Sequence, residues 1–282
     1  MKKRDVLMWI GIGYLVFLIL FAIFGPNFRY NYLHPVAAPS LTGSAEHWLG
    51  TDEIGRDVLT RLAFGARISL TVGLIVQSLS IAVGVLVGVT GIYAPKWISN
   101  PLMRFTDGMF AFPDILLAIL IVGVVSAKSM GVFGTLLDPI GGATILPVIV
   151  ALSITAWPSN ARLVKTQVAT LKDREFVIAA QASGASKAYL VRKHIMPQLW
   201  GILLAVSMVD LSGTILAEST LSFLGIGVQP PTPSWGTMIN NARLDMNSHP
   251  YQLVWPCLLL SLTIFALNFV GDGLRAWVDP KG

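Results

Sequence analysis

An uncharged run of 19 residues, 6–24, directly follows the charged tetrapeptide Lys2-Lys3-Arg4-Asp5. An α-helix rises about 1.5 Å per residue, so a run of this length spans the roughly 30 Å of hydrocarbon in a bilayer. The apolar region of a cleavable signal peptide is shorter, about 7 to 15 residues, and the small-residue stretch Val36-Ala37-Ala38 lies too far downstream for its cleavage site. The run therefore predicts a retained membrane anchor helix.

Five further apolar segments follow this anchor. They lie at about 68–94, 109–127, 145–157, 200–221 and 253–270. Hydrophobic residues make up 54% of the chain and charged residues only 12%, whereas about a quarter of an average soluble protein is charged. This balance excludes a soluble globule and a disordered chain. The sequence predicts an all-α integral membrane protein with six transmembrane helices, of which the fourth is short and contains Pro147.

The distribution of basic residues predicts how the spans are oriented. An even number of spans places both termini on one side, and cytoplasmic segments carry an excess of lysine and arginine. Most of the 20 lysine and arginine residues fall on the side of the N-terminus. The exceptions are Arg29, Arg56, Arg61, Arg67, Lys128 and Arg243. We therefore expect both termini in the cytoplasm, and we assign the net charge of +5 to this bias and not to a nucleic-acid partner.

Three of these exceptions lie in the stretch 52–67, where apolar residues such as Val58 and Leu62 recur at helical spacing. This pattern predicts a short amphipathic helix on the outer surface before the second span. That helix would complete an N-terminal unit, residues 1–67, consisting of the anchor helix and an external loop. A five-helix core, residues 68–282, would follow.

The longest predicted cytoplasmic connection is residues 159–198. Good helix formers occupy 167–183, Gly184 offers the left-handed conformation that ends many helices, and Ser186 is able to cap a second helix, which Pro197 would limit. The apolar side chains available to a partner are Phe176, Tyr189 and Leu190. Two roles fit this pattern: a helix-turn-helix that docks into a soluble partner, and a loop that packs against its own bundle.

The middle of this connection resembles a known docking loop. The run Phe176-Val177-Ile178-Ala179-Ala180-Gln181-Ala182-Ser183-Gly184-Ala185-Ser186, followed by His194-Ile195-Met196-Pro197, is similar to the EAA loop by which permease subunits of bacterial and archaeal ABC importers dock onto their ATPases. Ile178 stands where that loop usually carries a glutamate, and Glu175 lies three residues earlier, near the same helical face. The docking residues implied by the resemblance are Glu175, Phe176, Ile178, Ala179, Ala180, Gly184, Ala185 and Ser186.

Four other stretches resemble the second, C-type permease subunit of the dipeptide/oligopeptide family, and together they span nearly the whole chain. They are His47-Trp48-Leu49-Gly50-Thr51-Asp52 with Gly55-Arg56-Asp57-Val58-Leu59; Arg104-Phe105-Thr106-Asp107 with Phe110-Ala111-Phe112-Pro113; Leu221-Ser222-Phe223-Leu224-Gly225 with Gln229-Pro230-Pro231-Thr232-Pro233-Ser234-Trp235-Gly236; and Asn268 with Gly271-Asp272-Gly273-Leu274-Arg275 and Asp279-Pro280.

This resemblance implies an ABC type I importer fold and an import channel in the cytoplasmic (inner) membrane of a bacterium or archaeon. The channel would consist of this chain and a second homologous permease, driven by two cytoplasmic ABC ATPases and supplied by an external substrate-binding protein. Its cargo would be di- or oligopeptides, although similar subunits move nickel chelates, glutathione or oligosaccharides. The sequence has no G-x-x-x-x-G-K-[ST] run that would hold phosphates, so we expect ATP and Mg²⁺ on the partner ATPases and no cofactor in this chain.

Two other classes of membrane protein are alternatives to an importer subunit. An intramembrane enzyme is disfavoured because the sequence contains neither G-x-S-x-G nor H-E-x-x-H, and we predict no catalytic residues. The single Cys257 and the scattered histidines predict no metal site. A stand-alone channel or secondary transporter stays open on composition, and energy dependence would distinguish it.

Three acidic residues, Asp114, Asp210 and Glu218, lie within or near the apolar spans. An ionised side chain inside a membrane is costly unless it faces water or a partner. We therefore predict that these residues line the transport pathway. The alternatives are that they pair within the bundle or lie at the membrane surface.

Overall fold

The computed structural model describes residues 3–125 and 142–278. The described residues fold into helices joined by short connections and one long loop between the first two helices. The helices are α1 (Lys3–Phe24), α2 (Val58–Tyr93), α3 (Lys96–Met109), α4 (Asp114–Val125), α5 (Gly142–Lys172), α6 (Glu175–Ala182), α7 (Lys187–Leu190), α8 (Met196–Phe223), α9 (Trp235–Leu244) and α10 (Tyr251–Val278). A 3₁₀ turn at Gly25–Asn27 follows α1, and a π-helical turn at Val191–Ile195 joins α7 to α8.

Five helical segments are long and apolar enough to cross a membrane, and α3 with α4 forms a bent pair that makes up to six. The predicted six spans agree with the larger of these counts, but the predicted start of the third span at residue 109 is wrong, because the bent pair begins at Lys96. The helix axis bends by 96° between α3 and α4. The break lies just before Pro113, and proline disfavours helical conformation in the residue before it. Residues 126 and 127 lie outside the described part of the chain.

The separate amphipathic helix expected within residues 52–67 is wrong. Asp57 caps the first turn of α2 by accepting a hydrogen bond from the backbone N–H of Thr60 (2.9 Å), and α2 then continues for 36 residues without a break. Its early apolar residues Val58 and Leu62 are buried against α1, α8, α9 and α10, so they serve tertiary packing and not a membrane surface. The proposed boundary at residue 67 falls inside this helix.

The fourth span is longer than the predicted 145–157, because α5 extends over 31 residues and keeps both Pro147 and Pro158 in its interior. Membrane helices tolerate proline where neighbouring groups satisfy the freed carbonyls. The last span is also longer than the predicted 253–270, since α10 ends at Val278. Both helices extend beyond their apolar runs.

Close contact between α2 and α5 forms the centre of the bundle. A Cβ atom on Gly84 would lie 2.5 Å from the Cβ of Asn160, and one on Gly88 would lie 2.7 Å from the carbonyl oxygen of Ala161. Only glycine allows the two backbones to approach this closely, as in small-xxx-small packing motifs. The spacing Gly84-x-x-x-Gly88 therefore sets the position of Asn160 within the bundle.

Candidate functional site

A cavity of about 320 Å³ lies among α2, α4, α5 and α8, near the middle of the spanning segments. We call it the polar cavity. Its described lining residues are Gln77, Asp114, Ile115, Leu152, Thr155, Ala156, Ser159, Asn160, Val209, Asp210, Gly213, Thr214 and Ala217.

Helical spacing explains why these residues share one cavity. On α8 the lining positions are 209, 210, 213, 214 and 217, and on α5 they are 152, 155, 156, 159 and 160. Residues three, four and seven apart lie on the same helix face. Each of these two helices thus presents one mixed polar and small-residue face to the cavity.

Two of the three predicted pathway residues, Asp114 and Asp210, line the polar cavity. Asp210 is partly buried and lies beside the amides of Gln77 and Asn160. Asp114 is exposed and occupies the first turn of α4, where a carboxylate also interacts favourably with the helix dipole. The structure therefore brings together two carboxylates that are 96 positions apart in the chain.

The third residue, Glu218, does not line the cavity. Its side chain is fully buried, and its carboxylate accepts hydrogen bonds from the hydroxyls of Ser69 and Ser222, both at 2.8 Å. The Ser222 hydroxyl oxygen also accepts from the backbone N–H of Val228 (3.0 Å). Glu218 therefore pairs within the bundle, where it connects α2 and α8 to the loop after α8, which is the alternative that the sequence left open for it.

Two amides in the cavity were not singled out from the sequence. Asn160 is buried, and its Nδ2 donates to the Ser80 hydroxyl at 2.8 Å. Gln77 is 5% exposed, yet neither atom of its amide has a hydrogen-bond partner of acceptable geometry. The available signal was a glutamine in the middle of an uncharged span, because polar side chains within spans are costly and often functional.

The second candidate site is the elbow, which we define as residues 173–190. The helix predicted over 167–183 is wrong, because α5 ends at Lys172 and α6 begins at Glu175 after a short turn. The two local signals are confirmed: Gly184 has a φ of +86°, and the Ser186 hydroxyl accepts from the backbone N–H of Tyr189 (3.3 Å). Pro197 does not end the second helix but lies in the first turn of α8.

The elbow exposes apolar side chains on one side and anchors itself with others. Phe176 and Ile178 are 43% and 53% exposed, whereas Val177 is buried. Leu190 was expected to be an exposed anchor, but it is 2% exposed and belongs to the interior. The other predicted docking residues divide by exposure: Glu175, Ala179, Gly184 and Ser186 are exposed, and Ala180 and Ala185 are partly buried.

An apolar cluster attaches the elbow to the spanning helices, and we call it the anchor cluster. Its buried members are Val164, Val168, Val177, Leu190, Ile195, Leu199 and Leu203. The Lys187 ammonium also donates to the carbonyl oxygen of Tyr93 at the end of α2 (3.2 Å). Val164 lies four residues beyond Asn160 on α5, which is about 6 Å along the helix. The elbow is thus packed directly onto the helices that line the polar cavity.

Within residues 3–125 and 142–278, no group of three or more histidine, cysteine, aspartate or glutamate side chains is arranged to hold a metal ion.

A family model described as "Binding-protein-dependent transport system inner membrane component" matches residues 80–281. The dipeptide transport system permease protein DppC of Bacillus subtilis (strain 168) is 36% identical over 285 residues, covering 99% of this chain and 83% of that relative. The glutathione transport system permease protein GsiD of Escherichia coli O6:K15:H31 (strain 536 / UPEC) is 38% identical over 238 residues, covering 84% of this chain and 73% of that relative.

A solved structure has the same helical fold. It is described as inward-facing conformations of the MetNI methionine ABC transporter, and the matched chain superposes with a TM-score of 0.58 at 18% identity. The match covers 76% of this chain and 95% of the other.

Proposed function

The chain belongs to the family of binding-protein-dependent transport system inner membrane components, and we propose that it forms half of the pathway by which an ATP-driven importer moves di- or oligopeptides across the cytoplasmic membrane of a bacterium or archaeon. The match to a dipeptide permease over 99% of the chain supports peptide cargo. Glutathione is a second candidate, because a relative named for its transport is 38% identical.

One observation carries this proposal: the elbow projects apolar side chains while being fastened to the helices around the polar cavity. Phe176 and Ile178 are large, half exposed and adjacent to small residues. An exposed apolar patch on a folded protein marks an interaction surface. The partner that fits the proposal is a cytoplasmic ABC ATPase, with the elbow and both termini on the cytoplasmic side.

The complete importer in this proposal has four membrane-associated chains and a receptor. This chain pairs with a second homologous permease, each permease engages one ATPase, and an external substrate-binding protein delivers cargo. ATP and Mg²⁺ bind to the ATPases, so this chain is not itself an enzyme.

The anchor cluster suggests how ATPase movement reaches the cavity. Displacement of α6 would move α5 and α8 through Val177, Leu190 and Leu203, because well-packed interfaces transmit displacement instead of absorbing it. Leu203 and Asp210 are seven residues apart on α8, about 10 Å along the helix. The ATP-bound and ATP-free partner must bind two permease conformations with different affinity, since equal binding in both would drive no transport.

Energy dependence tests the proposal against a stand-alone channel. The two permeases, with and without their ATPases and loaded receptor, would be reconstituted into liposomes with a labelled dipeptide outside. We expect uptake that requires ATP, both ATPases and receptor, and accumulation above the outside concentration. Equilibration of the dipeptide through the permeases alone would contradict the proposal.

A further inference from the structure

The charges around the polar cavity are of one sign. Asp114 and Asp210 line it, and among the described lining residues there is no lysine, arginine or histidine. The cation nearest in the chain, Arg162, is committed elsewhere: its guanidinium pairs with Asp107 at 2.6 Å and lies over the Phe110 ring at 4.0 Å. The carboxylates of the cavity therefore have no described basic partner on its wall.

The neutral polar groups of the cavity add further hydrogen-bond acceptors. The hydroxyls of Thr155 and Thr214 donate to carbonyl oxygens of their own helices, Leu152 at 3.2 Å and Asp210 at 3.0 Å. Each hydroxyl has a single hydrogen, so these side chains present lone pairs to the cavity and not donors. A guest rich in N–H donors would complement this wall better than one that carries an anion.

The amide of Gln77 is a second observation that favours a polar ligand in this cavity. The residue is 5% exposed and lines the cavity, and neither Nε2 nor Oε1 makes a hydrogen bond of normal geometry, although the amide lies beside the Asp210 carboxylate. A buried amide without partners is destabilising, and native proteins rarely retain one without a reason. The neighbouring amide of Asn160 donates to the Ser80 hydroxyl, so of the two amides on the cavity wall only that of Gln77 lacks a hydrogen bond of normal geometry.

We infer that the polar cavity holds the ammonium group of the cargo, with the carboxylates of Asp210 and Asp114 and the carbonyl oxygen of Gln77 as acceptors. An ammonium group has three donors and no acceptor, which matches this set. The inference rests on the proposed function, because it assumes that cargo passes through this cavity. The ammonium could belong to a peptide's amino terminus or to a lysine side chain, and the experiment separates the two.

Gly213 provides a reporter position inside the cavity. It lines the wall, and a Cβ atom added to it meets nothing within 4 Å. The single native cysteine, Cys257, is replaced first, so that Gly213→Cys in a Cys257→Ser background carries the only thiol of this chain. Gly108→Cys serves as the control, because Gly108 also has open space around its Cβ but does not line the cavity.

The first measurement compares the labelling rates of a cationic and an anionic thiol reagent, 2-aminoethyl and 2-sulfonatoethyl methanethiosulfonate. The complex of both permeases and both ATPases is used in detergent, without the receptor, so that receptor selectivity does not contribute. We expect the cationic-to-anionic rate ratio at position 213 to fall at least about tenfold on Asp210→Asn and to be largely restored by Asp210→Glu. The ratio at position 108 should not change. If the cationic-to-anionic rate ratio at position 213 is the same with and without Asp210→Asn, the inference is overturned.

The second measurement asks which peptides protect position 213 from the cationic reagent. The probes are Ala-Ala, N-acetyl-Ala-Ala and N-acetyl-Ala-Lys at equal concentration. Protection by Ala-Ala but not by N-acetyl-Ala-Ala supports recognition of the amino terminus, and protection by N-acetyl-Ala-Lys supports recognition of a side-chain ammonium. Equal protection by all three, or by none, would overturn the inference.

Failure of the inference is distinguishable from failure of the proposed function. If labelling at 213 blocks ATP-driven uptake but the ratio and the protection pattern show no ammonium preference, the cavity lies on the pathway and only the inference fails. If labelling at 213 leaves ATP-driven uptake at the rate of the unlabelled reporter, the cavity lies off the pathway and the inference fails, while the proposed function stands. The proposed function fails instead if the liposomes show no uptake that depends on ATP.

Discussion

The elbow exposes large apolar side chains outside the apolar spans, whereas the polar cavity presents two carboxylates and an unpartnered amide within them. Exposed apolar side chains are unfavourable in water, and polar side chains are unfavourable within membrane spans. A chain that folded only for stability would bury Phe176 and Ile178 and would replace Gln77 with an apolar residue. These two departures are the basis of our proposal that another protein covers the elbow and that cargo passes through the cavity.

Different interactions attach the two regions to the rest of the bundle. The elbow is held by an apolar cluster that includes Val177, Leu190 and Leu203. Beside the cavity, Glu218 instead forms hydrogen bonds with serine hydroxyls on α2 and α8. The anchor cluster holds the elbow by apolar packing, whereas the hydrogen bonds of Glu218 join α2 to the last turns of α8.

The largest expected effect is that of Gly184→Glu in the elbow. The backbone at this position has a φ of +86°, which strains any residue with a side chain, and the new carboxylate would enter the docking face. We expect normal membrane insertion but loss of ATPase copurification and of uptake. Gly184→Ala, which carries only the backbone strain, should keep most of both. Uptake by Gly184→Glu at the wild-type rate, at equal expression, would remove the docking role of this turn.

Substitutions at Ile178 sharpen the comparison, because they test whether the ATPase surface that contacts the elbow tolerates a positive or a negative charge. Ile178→Arg would bury an unpaired cation against the ATPase, and we expect docking to weaken by about 100-fold or more. Ile178→Glu restores the residue that resembling loops usually carry and should dock within a few-fold of wild type. The affinity of purified ATPase for the permease pair measures both. Tighter docking by the arginine variant than by the glutamate variant would contradict the assignment.

The smallest effects concern stability and differ in size at two glutamines of equal burial. Gln77 and Gln252 are both 5% exposed, but Gln252 donates to the Ser40 hydroxyl at 3.2 Å and to the Thr51 carbonyl at 3.1 Å. Gln252→Leu leaves these groups unpaired and should destabilise the fold by about 1 to 3 kcal/mol. Gln77→Leu removes an amide that makes no hydrogen bond of normal geometry, so it should lower the midpoint of thermal unfolding much less than Gln252→Leu does, while slowing uptake.

Thermal unfolding of the purified protein in detergent distinguishes the two variants. Destabilisation by Gln77→Leu as large as that by Gln252→Leu would mean that the Gln77 amide is already satisfied in the folded protein. The contrast between a structural amide and one reserved for cargo would then be lost.

The features that could be predicted from the sequence are those that depend on single residues and their neighbours or on the length of an apolar run. The number of spans follows from uncharged runs long enough to cross a bilayer, and the turn at Gly184 and the cap at Ser186 depend on single residues and their neighbours. Asp210 was identified because a carboxylate in an apolar span needs a compensating environment. These features need no knowledge of which helices touch.

The errors arose where tertiary contacts decide the outcome. Residues 58–67 look amphipathic, but Trp235 and α1 bury their apolar face and make them the start of α2. Glu218 resembles Asp210 in the sequence, but Ser69, which is 149 positions away, reaches its carboxylate. Gln77 could not be recognised as unpartnered until the surrounding helices were in place. Asp279 and Pro280, which contributed to the family resemblance, lie outside the described residues.

Site-specific crosslinking at the elbow tests the central claim most directly. Ala179→Cys in the Cys257→Ser background would place one thiol on the exposed face of α6, opposite cysteines introduced in turn across the surface of the partner ATPase. We predict rapid disulfide formation with the ATPase, at a yield that changes when ATP binds, and no labelling of this thiol by membrane-impermeant reagents added outside intact cells. Labelling from outside, or an elbow that forms no crosslink with the ATPase in any nucleotide state, would contradict the account.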